Sequence, residues 1–212
     1  MKIYCFSGLG ADERVFNFLK LDKPFELALI DWINPVQNES LEKYSLRISK
    51  TIETKQPFGI LGVSFGGLIA QEVSSILKPR FTIVISSINS SSQIPFVLRF
   101  LPNLIIKRIP TLFFKLPYSI ANYAFSAVQK DFLHQIIKDT NPEFIKWAIY
   151  AFKNWKGEPV NSNIFFLCGE KDRLLKPIKG ATVVPDAGHF MVVDLADQVS
   201  QRINFFLLNP MD

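Results

Sequence analysis

The chain has 212 residues, of which 48% are hydrophobic and 20% charged, a globular composition that excludes a disordered polymer. No uncharged apolar run approaches the roughly 20 residues of a membrane-spanning helix, so no transmembrane segment is expected. The net charge of +5 is small and comes with no recognised reading motif, so no nucleic-acid partner is expected.

Residues 2–6 are apolar and bounded by the loop Ser7-Gly8-Leu9-Gly10, which predicts a buried strand and then a turn into a helix over Glu13 to Leu19. Gly8, Gly10, Asp12, Glu13 and Arg14 also interrupt the apolar start before any small-residue cleavage site, so it reads as structure, not as a signal peptide. Phe25–Asp31 reads as a second strand. From Ser40 to Lys55, Leu41, Tyr44, Ile48 and Ile52 recur at helical spacing, and Phe58–Gly62 then gives a third strand. A helix over Phe65–Leu77 stops before Pro79, and Phe81–Ser86 is apolar and β-branched enough for a fully buried strand.

The alternation then ceases. Residues 88–159 show helical periodicity cut by Pro95, Pro102, Pro110, Pro117 and Pro142, with no strand pattern. Alternation resumes with strand Asn163–Cys168, a short strand at Thr182–Val184 and a closing helix from Met191 to Leu208. Strand and helix thus alternate on both sides of one insertion, which predicts a mostly parallel sheet of about six strands covered on both faces. The expected units are a core of residues 1–87 and 160–212 and an inserted helical segment at 88–159. Cys5 and Cys168 fall in apolar strand segments and read as buried thiols in a reducing, cytoplasmic compartment.

Three segments carry chemistry. Gly62-Val63-Ser64-Phe65-Gly66 is a G-x-S-x-G pentapeptide set between a predicted strand and a predicted helix. Such a reversal strains the serine backbone and lifts its hydroxyl clear of the sheet, at the positive end of the next helix. A serine hydroxyl needs a base. The sequence offers two histidines: His134, on a helix of the insertion, reads as structural, whereas His189 lies in the loop between the last strand and the last helix. A carboxylate must then hold the imidazole in one tautomer. Asp172 follows strand Asn163–Cys168, at the carboxyl end of a parallel strand, with Glu170 and Asp186 as competitors. The main-chain amides of Phe65 and of Leu9 are the expected donors to an oxyanion. No cofactor and no metal are expected.

The Gly62–Gly66 elbow, Asp172 in a Gly-x-x-Asp turn, His189 in a Gly-His turn and the order Ser, acid, His resemble the α/β-hydrolase family over residues 1–87 and 160–212. The resemblance implies a serine nucleophile, Ser64, with His189 as general base, Asp172 as its partner, and a lid made of the insertion. Two features depart from the family pattern: Ser7-Gly8 replaces the usual His-Gly, and the chain begins at what would be the family's third strand, without the antiparallel hairpin. The fold hosts several chemistries. An ester or thioester hydrolase leads; a C–C hydrolase or synthase-like member, with insertion arginines holding a substrate carboxylate, and a non-catalytic receptor-like homologue stay open.

The whole charge excess sits in residues 88–160, with nine Lys and Arg against four Asp and Glu. Arg99, Lys107, Arg108, Lys115 and Lys130 are interleaved there with Phe96, Leu98, Phe100, Leu101, Leu104, Ile105, Phe113 and Phe114. An apolar surface in a positive rim suits an acyl chain borne on an acyl-carrier protein or lying in a lipid surface. The alternative is plain packing, with apolar residues seating the lid on the core and lysines solvating its outside.

Overall fold

The computed structural model describes residues 1–111, 117–157 and 163–209. Six strands form one all-parallel sheet: β1 (Lys2–Phe6), β2 (Glu26–Leu29), β3 (Gly59–Val63), β4 (Thr82–Ile85), β5 (Ile164–Gly169) and β6 (Thr182–Val184), in spatial order β2-β1-β3-β4-β5-β6. The order reverses between β1 and β3, the switch point at which parallel sheets open a crevice beyond their carboxyl ends.

Each central strand is buried on both faces, and its pleat divides the core in two. From β1, Ile3 and Cys5 face one apolar cluster while Tyr4 and Phe6 face the other. The first cluster is closed by Val199, Ile203 and Phe206 of helix α9 (Ala196–Leu208). The second is closed by α1 (Leu41–Ile48), through Leu41 and Tyr44, and by α2 (Phe65–Leu77), through Leu68 and Ile69. Removing each such Leu or Ile from water contributes about 1.5–3 kcal/mol.

The insertion enters both clusters. Between β4 and β5 lie α3 (Phe96–Phe100), α4 (Asn103–Arg108), α5 (Tyr118–Phe125), α6 (Lys130–Asp139) and α7 (Pro142–Asn154), after a 3-10 turn at Ser91–Gln93. Leu133 and Ile136 of α6 join the first cluster, and Phe144 and Trp147 of α7 join the second. The Trp147 indole donates to the Glu39 carbonyl at 2.9 Å, tying α7 to the loop before α1.

Three expected elements come out differently. The helix expected over Glu13 to Leu19 is a 3-10 turn, Glu13–Phe16, capped by Asp12. A segment this short cannot sustain a helix, and one turn suffices to bury Val15 and Phe16. The helix expected over Ser40 to Lys55 stops at Ile48 and tightens into a 3-10 turn at Ser49–Thr51. There the hydroxyls of Ser49 and Thr51 take the carbonyls of Leu46 and Ile48. The closing helix is broken at Leu195 (φ −127°, ψ 38°) into α8 (Met191–Asp194) and α9. The other bounds shift by a residue or so. Among the described residues no helix is long and apolar enough to cross a membrane.

Candidate active site

Strand β3 ends at Val63 and α2 begins at Phe65, so Ser64 alone makes the turn, at φ 54° and ψ −118°. An L-residue held there is strained. Its amide is anchored on the Ile85 carbonyl of β4 at 2.8 Å, and its own carbonyl accepts from Gly67 at 2.9 Å. The glycines are dictated by close approach. A Cβ on Gly62 would stand 2.3 Å from the Gly66 carbonyl oxygen, and one on Gly66 would stand 2.2 Å from the carbonyl oxygens of Phe6 and Ser7.

The Ser64 Oγ lies 2.8 Å from Nε2 of His189, and Nδ1 of His189 lies 2.7 Å from Oδ2 of Asp172. The imidazole and the carboxylate are both buried, at 4% and 2% side-chain exposure, so the pair is shielded from bulk water. The other carboxylate oxygen, Oδ1, accepts the amides of Leu174 (2.8 Å) and Leu175 (2.9 Å). The tautomer that donates from Nδ1 to this carboxylate is the one that leaves the Nε2 lone pair to accept from the Ser64 hydroxyl.

The loops bearing acid and base are laced together. Glu170 donates its amide to the Val184 carbonyl (3.0 Å) and Lys171 to that of Ala187 (2.8 Å). The competing carboxylates are engaged elsewhere: Asp186 pairs with Lys171, and Glu170 accepts the Asp186 amide at 3.0 Å. The hydrogen bond and charge of the Lys171 ammonium hold the Asp186 carboxyl below its usual range. His134 lies apart from Ser64, stacked on Tyr118 with ring centroids 4.1 Å apart and bonded to Asn122 at 2.9 Å.

The loop expected to supply an oxyanion donor is braced without the family's histidine. The buried Ser7 hydroxyl donates to the Ala11 carbonyl at 2.8 Å, and Ala11 donates its amide to the Gly8 carbonyl at 3.0 Å. Thr140, at the C-terminal end of α6, donates to the Gly10 carbonyl. Leu9 and Phe65 both line the cavity onto which Ser64 opens. Phe65 is the first residue of α2, where amides have no partner inside the helix.

That cavity holds about 390 Å³. The insertion supplies much of its wall: Leu98 from α3, Phe125 from α5, Ile136 from α6, and Ile145, Ile149 and Phe152 from α7. Leu68, Leu174, Leu175 and Val192 complete it from the core. Among the described lining residues there is no lysine, arginine, aspartate or glutamate. Lys115 lies outside the described residues.

Several contacts near the base had no signal in the sequence. The Phe125 ring packs edge-on against the His189 ring at 5.3 Å, and Phe190 donates its amide to the Phe125 carbonyl at 3.3 Å. The Asp194 carboxylate accepts the amides of Val128 and Gln129, both at 2.9 Å. Burial pushes its carboxyl up, against the pull of those two amides. The α5–α6 corner is thereby clamped to the end of the loop that carries His189, through Phe190, and to α8 beyond it, through Asp194. Proline spacing marks the helix ends here, but nothing local marks which loops they meet.

No protein-family model and no curated protein sequence matches the chain. Solved structures do. An enol-lactonase from Burkholderia xenovorans superposes with a TM-score of 0.74 at 16% identity, over 98% of this chain and 91% of its own. A hydrolase from Oleispira antarctica gives 0.72 at 16% identity, over 98% and 91%. The RedJ thioesterase of the prodiginine pathway in Streptomyces coelicolor gives 0.67 at 13% identity, over 97% and 89%. At such identities the likeness concerns architecture, and with the six-stranded parallel sheet it shows that this chain has the α/β-hydrolase fold.

Proposed function

We propose that this chain is a serine hydrolase that cleaves a small-molecule carboxylic ester or thioester with an apolar acyl group, through an acyl-enzyme. The observation that carries the reading is the unbroken relay Ser64, His189, Asp172, at 2.8 and 2.7 Å, opening on a wall that is otherwise almost wholly apolar. The fold's other occupants supply support at a coarser level, since they include a thioesterase and a lactonase.

In this reading His189 Nε2 takes the hydroxyl proton as Ser64 Oγ bonds to the substrate carbonyl carbon. The carbonyl oxygen becomes an oxyanion held by the amides of Leu9 and Phe65. Collapse expels the alcohol or thiol, which leaves with the proton from His189. Water then attacks the acyl-Ser64 ester, gives its proton to His189, and the carboxylic acid departs while Ser64 regains its hydroxyl. Asp172 stays ionised throughout and stabilises the imidazolium. Residues 88–159 act as the lid, and a cytoplasmic setting fits the free, buried thiols of Cys5 and Cys168.

The C–C hydrolase alternative asked for insertion arginines on the substrate, and neither Arg99 nor Arg108 lines the cavity. The test is a fluorophosphonate label together with a series of acyl esters of rising chain length. Labelling of Ser64, lost in Ser64→Ala, with turnover that depends on chain length, is the expected result. An unlabelled protein, or one labelled at another residue, would defeat the reading.

A further inference from the structure

The first two helices of the insertion have two unlike sides. Leu98, in the middle of α3, lines the cavity with Pro95. Its neighbours on the same helix, Phe96, Val97 and Phe100, face outward at 75%, 83% and 66% exposure. The rings of Phe96 and Phe100 lie 4.5 Å apart, one helical turn apart in sequence, and project together. Helix α4 continues the theme: Ile106 is buried, while Leu104 and Ile105 are exposed. Five large apolar side chains between residues 96 and 105 are left in water, and exposed apolar residues that gather in this way mark interaction sites.

The charged residues of this stretch of chain are all of one sign. No Asp or Glu occurs from residue 88 to residue 130, and Arg99, Lys107 and Arg108 are exposed beside the apolar side chains. Lys107 bonds Asn38 at 2.8 Å and sits over the Tyr150 ring, neither of which neutralises it. Projecting aromatic and aliphatic side chains with cations beside them match a soft anionic layer into which they can sink. A folded partner would need preformed pockets for each of them.

We propose that the outer face of α3 and α4 docks on an anionic lipid surface, with Phe96, Val97 and Phe100 inserted and Arg99 and Arg108 on the headgroups. One helix then separates the lipid from the cavity, with Leu98 on the inner side of the same helix, so an acyl chain passes around α3 to Ser64. The docking stands by itself; the delivery of an acyl chain rests on the ester-hydrolase reading.

The experiment is co-sedimentation of the full chain, as Ser64→Ala to prevent turnover, with vesicles of phosphatidylcholine alone or mixed with phosphatidylglycerol. Anionic vesicles should bind at least about tenfold more tightly than neutral ones, and less so as salt is raised. The double substitution Phe96→Ser, Phe100→Ser should abolish binding, and Arg99→Gln with Arg108→Gln should weaken it about tenfold or more. None of these four residues lines the cavity, so unfolding midpoints and, in a Ser64 background, turnover of a short soluble ester should stay at the parent's level. Absence of vesicle binding by the parent, or equal binding by the Phe variant, overturns the proposal. So does selective capture of an acidic acyl-carrier protein by a parent that ignores vesicles. If the chain binds anionic vesicles while the form with Ser64 intact takes no fluorophosphonate, the docking stands and the hydrolase reading falls.

Discussion

The sheet core and the helical insertion handle the same kind of residue in opposite ways. In the core, Phe6, Ile60, Leu61, Ile83 and Ile85 are fully buried, and the reversals after β3 and β5 are fixed by main-chain hydrogen bonds. In the insertion, α3, α4 and α5 start behind Pro95, Pro102 and Pro117 with no side-chain cap, and they leave large apolar residues in water. The core spends its apolar residues on rigidity, where Ser64 and His189 must be held to a fraction of an ångström. The insertion leaves them as surface, inward on the cavity and outward in water.

That contrast can be broken most severely at the relay. Ser64→Ala or His189→Asn should lower ester turnover by about 10⁴-fold or more while the urea midpoint barely moves. A large loss of stability instead would mean that the residues serve the core alone. Gly66→Ala should do the reverse, because its methyl would press on the carbonyls of Phe6 and Ser7 at 2.2 Å. A loss of about 3 kcal/mol or more in urea unfolding is expected.

Within the insertion the balance should tip toward selectivity. Ile149→Trp fills part of the cavity wall and should cut turnover of long-chain esters about tenfold relative to short ones. Equal rates across the series would sever the insertion from substrate choice. Asp194→Ala leaves the amides of Val128 and Gln129 unpaired. It should cost about 1–2 kcal/mol and speed amide exchange at residues 126–129 before any exchange in β3.

The smallest effect concerns Glu39, which joins the two regions beneath Trp147. Burial raises its carboxyl, but the paired bonds from Arg47, at 2.7 and 2.9 Å, outweigh that and hold it below its usual range. The unfolded chain therefore takes up the proton first as the solution is acidified. Stability from this pair is full above the ordinary glutamate range, about pH 4, and drains as pH falls through the lower folded value. Glu39→Gln should flatten that part of the stability curve; an unchanged slope would show that the pair contributes nothing.

Much of this was legible in the sequence for local reasons. Strand β3 and helix α2 announce themselves through an apolar run, a Gly-Ser-Gly turn and a stop before Pro79, all within one stretch of chain. Asp172 and His189 were legible because each follows a strand of the parallel sheet at its carboxyl end. Phe125 against His189, and Asp194 across from Gln129, join residues more than sixty positions apart and leave no local trace. The break at Leu195 leaves no local trace either: apolar periodicity runs straight through it, and it coincides with the long-range contact of Asp194 to Val128 and Gln129.

Strand β4 ends at Ile85 and β5 begins at Ile164, yet Thr82 pairs with Ile164 as if the two were consecutive. The chain entropy lost in closing such an excursion grows only as the logarithm of its length, about 0.6 kcal/mol for each doubling. As far as chain entropy goes, the exposed stretches between these two strands can be lengthened at small cost so long as Thr82 and Ile164 still meet and Leu133, Ile136, Phe144 and Trp147 keep their places in the core. A lineage could change what this molecule grips through that one junction while leaving the machinery beneath it intact.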